Sequence, residues 1–247
     1  MAAESKPYPP FLGSELPQPA PEDARFHVLP VPWERSVSYG AGTFAGPSAI
    51  LDASWQLEVW EGHSRPGDEG IYTHPPVTVT GEPEAVLARI AAAVEGILAL
   101  GKMPVVLGGE HTVTYGVIQG YLNAGYQDLG VVQIDEGDRF SHACVMRRVV
   151  EAGLPLFQLG VRALCPEEIA ARERFRVRCL DAETLVPSHT SKFTLPDDFP
   201  SRVFFTLDVD GLDPSVFPAT GTPVPGGLSW YQTLGLFQSV ATQRRII

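Results

Sequence analysis

Three short apolar runs in this chain of 247 residues each end in side chains that can bind a divalent cation. Residues 103–107 lead into Gly108-Gly109-Glu110-His111, residues 129–134 lead into Asp135, and residues 203–207 lead into Asp208-Val209-Asp210. Side chains alternate along a strand, so this spacing predicts Asp208 and Asp210 on one side of a sheet with Val209 opposite. Two carboxylates that close repel each other, and a divalent cation between them removes the penalty. Each residue taken singly also has a plain structural use. Asp135 can serve as a turn or helix-cap residue, His111 can cap or hydrogen-bond, and Asp208 and Asp210 can form a solvated strand end before the Asp213-Pro214 turn. Their convergence at one sheet edge favours a metal site over three separate structural uses. Carboxylates with one or two imidazoles suit manganese or magnesium better than zinc. A pair of ions sharing carboxylates makes water acidic enough to react near neutral pH, so the expected chemistry is hydrolysis.

Such residues meet only if the strands run parallel, because ligands bind beyond the carboxyl ends of the strands in a parallel α/β sheet. The runs that read as buried strands are Phe26 to Val31, Met103 to Leu107, Leu129 to Ile134, Pro155 to Gly160, Arg176 to Leu180 and Val203 to Leu207. Between them Val86, Ile90, Val94 and Ile97 recur every three or four residues and form one apolar helix face. Further helices are predicted over Thr114 to Leu122, Ala143 to Glu151, Pro166 to Arg174 and Ser229 to Ala241. Glu61 to Thr80 shows no period and reads as loop. The proline-rich stretch Lys6 to Asp23 reads as part of an extended N-terminal arm, residues 1–25. The alternation of strands and helices over residues 26–247 predicts a single α/β domain: a three-layer αβα sandwich with a mainly parallel central sheet.

Composition narrows the function classes. Apolar residues make up 44% and charged residues 19%, as in an ordinary globular protein, and the formal net charge of -11 argues against a nucleic-acid partner while permitting a small cationic ligand. The apolar stretch Ala85 to Leu100 is interrupted by Arg89 and Glu95 and is too short to span a bilayer, so no membrane role is expected. Cys144, Cys165 and Cys179 lack CxxC spacing, which points to buried free thiols in a reducing cytoplasm. The start MAAESKPYPP lacks a signal-peptide layout, and a cytoplasmic location is expected.

At the candidate ligands the chain resembles the ureohydrolase family, which includes agmatinase and arginase and splits a guanidino group into urea and an amine. LGGEHTVTYG (Leu107 to Gly116) is similar to the family's first metal motif, and TLDVDGLDPSVFPATGTPVPGGLS (Thr206 to Ser229) to its long signature. SYGAGTFAGPSAI (Ser38 to Ile50) resembles the glycine-rich loop near the substrate mouth, and LFQLGVRAL (Leu156 to Leu164) the strand and loop after the second metal motif. SHACVMRRVVEAG (Ser141 to Gly153) looks like the family's histidine followed by a helix. The resemblance implies an arginase-like fold and a binuclear Mn2+ centre held by His111, Asp135, Asp208 and Asp210. It makes His142 the catalytic proton-transfer residue, and Asp213 and Pro214 structural. The implied substrate is a small cationic guanidino compound, with agmatine, hydrolysed to putrescine and urea, preferred over the guanidinobutyrase and arginase substrates. A homo-oligomer, trimer or hexamer, is also implied.

Two departures stand out. The family carries Asp-Ala-His-x-Asp where this chain reads Asp135-Glu136-Gly137-Asp138, so only the first ligand is present and Asp138, one position early, receives no ligand role. Ile246-Ile247 resembles the start of a strand that in the family leads to a guanidinium-binding glutamate. The expectation is that segments are lacking after Asp135 and after Ile247. The alternative is a catalytically inactive ureohydrolase-like protein serving as a binding or regulatory subunit.

Overall fold

The computed structural model describes residues 8–37, 39–136 and 145–247. The chain forms two compact units, Met1–Arg35 with Gly42–Gly125, and Ser36–Ala41 with Tyr126–Ile247. Each is a parallel α/β assembly, as the alternation of apolar runs and helical patterns predicts.

The first unit contains β1 (Phe26–Val31), α1 (Gly46–Ser54), β2 (Ile71–Thr73), α2 (Pro83–Ala99), β3 (Met103–Gly108) and α3 (Val113–Asn123). Its strands lie in the order β2-β1-β3, with Phe26 beside both Ile71 and Met103. Helix α2 opens with Pro83 at its first turn, where the missing N–H costs no hydrogen bond, and buries Val86, Ile90, Val94 and Ile97 along one face. Burying each of these aliphatic side chains contributes roughly 1.5–3 kcal/mol before entropy is counted. Against them α3 presents glycines: a Cβ on Gly116 would sit 3.0 Å from Ile90 Cβ, and one on Gly120 would sit 2.7 Å from Val94 Cβ and 2.8 Å from the Ala91 carbonyl. The two helices therefore approach closer than any larger residue allows.

Residues 8–25 are tied down on this unit rather than standing apart from it. Phe11 N–H donates to Thr73 Oγ1 (2.9 Å), Leu12 N–H to Ser54 Oγ (3.0 Å), and Trp55 Nε1 to the Pro10 carbonyl (2.9 Å), while Gln18 Oε1 accepts from Thr73 N–H (2.9 Å). The segment between Glu61 and Thr80, expected to be loop, holds β2. Likewise the glycine-rich stretch Ser38 to Ile50 runs into a helix from Gly46 onward.

The second unit contains β4 (Gly130–Ile134), α4 (Val145–Glu151), β5 (Leu156–Leu159), α5 (Pro166–Phe175), β6 (Arg178–Leu180), α6 (Ala182–Leu185), β7 (Arg202–Leu207), α7 (Trp230–Gln243) and β8 (Arg245–Ile246). The strand order is β6-β5-β4-β7-β8, all parallel. Strand β4 is buried along its whole length, which is why its sequence is nearly continuous in apolar residues. Val132, Ile134, Leu159, Leu185, Val203 and Leu236 form the heart of the core. Helix α7 is started by Ser229, whose hydroxyl accepts from Gln232 N–H while Gln232 Oε1 accepts from Ser229 N–H, a reciprocal cap. The thiols depart from expectation: Cys165 is half-buried ahead of α5 and Cys179 is exposed on β6, both free, while Cys144 lies outside the described residues.

Candidate metal centre

Strand pairing brings the first two acids together. Ile134 is the register partner of Leu207, so the residues that follow them, Asp135 and Asp208, leave two neighbouring parallel strands at the same level. Asp208 N–H donates to the Ile134 carbonyl (2.9 Å) and Asp135 N–H to the Leu159 carbonyl (3.3 Å), which extends the ladder one residue beyond each strand.

The third acid arrives by a turn, not by strand alternation. Strand β7 stops at Leu207, and Val209–Gly211 form a single 3-10 turn capped by Asp208, whose Oδ1 accepts from Asp210 N–H (3.2 Å). Gly211 permits that turn: a Cβ there would lie 2.7 Å from Ile134 Cγ2 and 3.0 Å from Asp135 N. The pairing of Asp208 with Asp210 is as expected, but its cause is the local turn. Arg162 holds the turn from behind. Its buried guanidinium donates through Nη2 to the Asp210 carbonyl (2.6 Å) and the Val224 carbonyl (2.7 Å), joining both ends of the signature segment.

Electrostatics make this a site that favours a cation. The Asp210 carboxyl is pushed up to about 9, first by burial and then by the Asp208 and Asp135 carboxylates; the Glu136 N–H, donating to Asp210 Oδ1 at 3.2 Å, works in the opposite direction. Crowded, buried carboxylates accept protons or a metal ion to relieve their repulsion. The donor set present, carboxylate oxygens, fits a hard divalent ion such as manganese or magnesium. Three residues downstream, Asp213 has the opposite environment. Its Oδ1 accepts from Ser215 Oγ (2.6 Å) and N–H (3.0 Å), its Oδ2 from Gly226 N–H (2.8 Å) and Gly227 N–H (3.2 Å), and these donors hold the carboxyl down at about 2. Asp213 thus shapes the loop, the structural role the sequence implied.

His111 belongs to the first unit, in the turn joining β3 to α3, where its carbonyl accepts from Thr114 N–H (3.0 Å). That turn is fixed against Trp33. A Cβ on Gly109 would lie 2.1 Å from the Trp33 carbonyl, so only glycine fits; Glu110 N–H donates to the same carbonyl (2.8 Å), and Glu110 Oε2 accepts from Arg35 N–H (2.6 Å). In the glycine-rich loop, Glu34 Oε2 gathers Gly42 N–H (2.6 Å), Thr43 Oγ1 (3.0 Å) and Phe44 N–H (3.2 Å), donors that hold its carboxyl below the ordinary carboxylate range. His142 lies outside the described residues, as does Asp138.

Two residues at the acid cluster escape a reading of the sequence. Arg162 stands inside the quoted LFQLGVRAL stretch, but the carbonyls it holds, of Asp210 and Val224, are 48 and 62 residues away in the chain. Gln133, 3% exposed, donates from Nε2 to Asp135 Oδ2. The available signal was its polarity inside an otherwise apolar strand.

Acids clustered beyond the carboxyl ends of parallel strands stand where α/β proteins bind their ligands, so the class the fold defines is an α/β protein with a candidate cation site at that edge. Comparison with known proteins gives the family: residues 24–247 match the Arginase family model, and the chain belongs to that family. It is 36% identical over 244 residues to an N(1)-aminopropylagmatine ureohydrolase of Synechocystis sp., covering 91% of this chain and 79% of the relative. A Thermus thermophilus protein of the same name is 35% identical, covering 92% and 81%. These relatives place the chain among the hydrolases as a ureohydrolase-type enzyme. The agmatine ureohydrolase of Thermoplasma volcanium superposes with a TM-score of 0.78 at 24% identity, covering 92% of this chain and 81% of that one, which establishes the arginase-like fold. No helix among the described residues is long and apolar enough to cross a membrane.

Proposed function

We propose that this protein hydrolyses a cationic guanidino compound to urea and an amine with a manganese pair, and that agmatine, yielding putrescine, is its substrate. The observation carrying the metal assignment is the crowding of Asp135, Asp208 and Asp210, which leaves the Asp210 carboxyl at about 9 until positive charge arrives. In this reading those three carboxylates and His111 hold the ions, and His142 moves the proton to the departing amine. A bound manganese pair supplies Lewis-acid activation of water. The protein's own part is to hold the acids by the Asp208–Gly211 turn and the Arg162 clamp, and to meet the cationic guanidinium with net negative charge. The reading further includes a homo-oligomer, trimer or hexamer, working in the cytoplasm.

A second substrate, N(1)-aminopropylagmatine, is favoured by the names of the 36% and 35% identical relatives. It carries the same guanidino head on a longer polyamine tail. Urea release by manganese-loaded protein from agmatine, N(1)-aminopropylagmatine, guanidinobutyrate and arginine separates these readings: the highest kcat/KM on agmatine supports the first, and on the aminopropyl compound the second. Inactivity on all four would return the protein to the inactive, regulatory reading that Glu136-Gly137-Asp138 suggests.

A further inference from the structure

We propose that Arg172, on helix α5, sets the orientation of the Asp135 carboxylate through a directed relay of two glutamine side chains, Gln158 and Gln133. The inference rests on the reading of Asp135 as a metal ligand and adds positioning residues to it.

The direction of the relay follows from donor and acceptor capacity. Arg172 Nε donates to Gln158 Oε1 (2.9 Å), while Nη1 and Nη2 donate to the two oxygens of Asp181 (2.9 and 3.0 Å). A guanidinium has no acceptor, so Gln158 must turn its oxygen towards Arg172 and its Nε2 away. That Nε2 meets Gln133 Oε1 at 2.8 Å, which obliges Gln133 to present its own Nε2 to Asp135 Oδ2. The oxygen and nitrogen of an isolated glutamine amide are interchangeable by inspection; here the donor-only end of the chain removes the choice at both amides.

The fold supplies this alignment directly. Gln133 and Asp135 stand two apart at the end of β4 and share a face, and Gln133 and Gln158 are register partners on β4 and β5. Arg172 lies on the helix between β5 and β6, and Asp181 follows β6. The side chains of Arg172 and Asp181 are 12% and 25% exposed, so the cation at the far end is largely shielded from water. Burying a glutamine in a strand core costs stability unless both ends of its amide are bonded. Gln133 meets that condition only with Gln158 in this one orientation. Both amides point their N–H groups towards Asp135, and the positive charge stands behind them. One oxygen of the carboxylate is thereby engaged before an ion binds, the kind of supporting contact that tunes metal sites.

The test compares the parent with R172M, R172K, Q158L, the double variant R172M/Q158L, and R178M, which breaks only the exposed Arg178–Asp198 pair. Manganese affinity is measured by calorimetry, and side-chain amide exchange by NMR on glutamine-labelled, metal-free protein, with thermal melts to confirm folding. R172M and Q158L should each weaken manganese binding by about 10–100-fold, the usual effect of losing a supporting partner, and the double variant should be no weaker than Q158L alone. R172K, which keeps a donor-only cation, should recover most of the affinity, and R178M should match the parent. In metal-free R172M the Gln133 amide should lose its protection although Arg172 does not touch it. Additive losses in the double variant, or an unaltered Gln133 amide in folded R172M, would overturn the relay. A parent that binds no manganese would sink the metal reading instead, and the amide measurement would still decide the relay.

Discussion

Asp210 and Asp213 lie three residues apart in one loop, yet their surroundings push them in opposite directions, up to about 9 and down to about 2. Asp213 collects hydrogen bonds from Ser215, Gly226 and Gly227, so its negative charge is satisfied by the protein itself. Asp210 is more deeply buried, faces Asp208 and Asp135, and receives the Glu136 N–H at 3.2 Å and the Thr222 hydroxyl at 3.3 Å. The difference separates two uses of one residue type. An aspartate surrounded by donors completes its loop; one surrounded by acids completes its environment only with a cation.

The strongest way to break this comparison is to remove the charge from Asp210. D210N should lower manganese affinity by more than about 100-fold, beyond the loss of a supporting contact. The metal-free protein should gain stability from the same change, and the gain should depend on pH. A carboxyl whose folded value of about 9 lies above its ordinary 3.8 contributes stability that is fully present below pH 3.8 and is lost as pH rises through 9. Thermal midpoints of chelator-treated parent and D210N should therefore diverge between pH 5 and pH 9, with the variant higher. A gap that stays constant over that range would mean Asp210 is not strained by its neighbours.

Removing the charge from Asp213 should do the reverse. In D213N an amide replaces an oxygen that accepts from largely exposed donors, and the lost hydrogen bonds cost about 0.5–1.5 kcal/mol. Its manganese affinity should stay close to that of the parent once the variant is folded. Here the folded value of about 2 lies below the ordinary 3.8, so the Asp213 contribution is fully present above pH 3.8 and is lost as pH falls through 2. Urea denaturation at pH 7 and pH 3 checks both statements: the destabilisation should shrink at the lower pH. Equal losses of metal affinity in D210N and D213N would erase the distinction between the two aspartates.

The sequence made the outline of this comparison legible and hid its mechanism. Runs of apolar residues marked β3, β4 and β7 nearly to the residue; β4 is buried along its whole length, while β3 and β7 are buried only in part. Strand β2 was invisible, since Ile71–Thr73 is too short to show a period and is held by pairing with β1 far away in the chain. Asp135, Asp208 and Asp210 were readable as acids at strand ends. Alternation nevertheless predicted the wrong reason for the Asp208–Asp210 pair, because β7 ends before both and a capped turn takes over. Asp213 was assigned correctly as structural through its motif. Gln133 stood out only as a polar residue in an apolar strand, and its role stayed hidden because its partner, Gln158, is 25 residues away.

A smaller effect comes from the His27–His74 pair in the first unit, where the Lys102 and Glu22 charges act in opposite directions on His27. His27 on β1 is fully buried; its Nε2 lies 3.0 Å from the Pro21 carbonyl and its Nδ1 2.8 Å from His74 Nε2. A carbonyl only accepts, so His27 carries its proton on Nε2, and its Nδ1 accepts a hydrogen bond donated by His74 Nε2–H. Burial holds both rings below the ordinary histidine value of 6.5, and the Pro21 contact opposes this at His27. The neutral pair is therefore the folded form. Below pH 6.5 the unfolded chain binds protons that the folded pair refuses, so stability is fully present above that value and is lost as pH falls. H74Q keeps a donor towards His27 but cannot titrate. Its stability should match the parent at pH 8 within about 0.5 kcal/mol, and it should lose less on going to pH 5. Denaturant midpoints at the two pH values measure this, and an equal acid loss in parent and H74Q would show that the histidine pair is not the group refusing the proton.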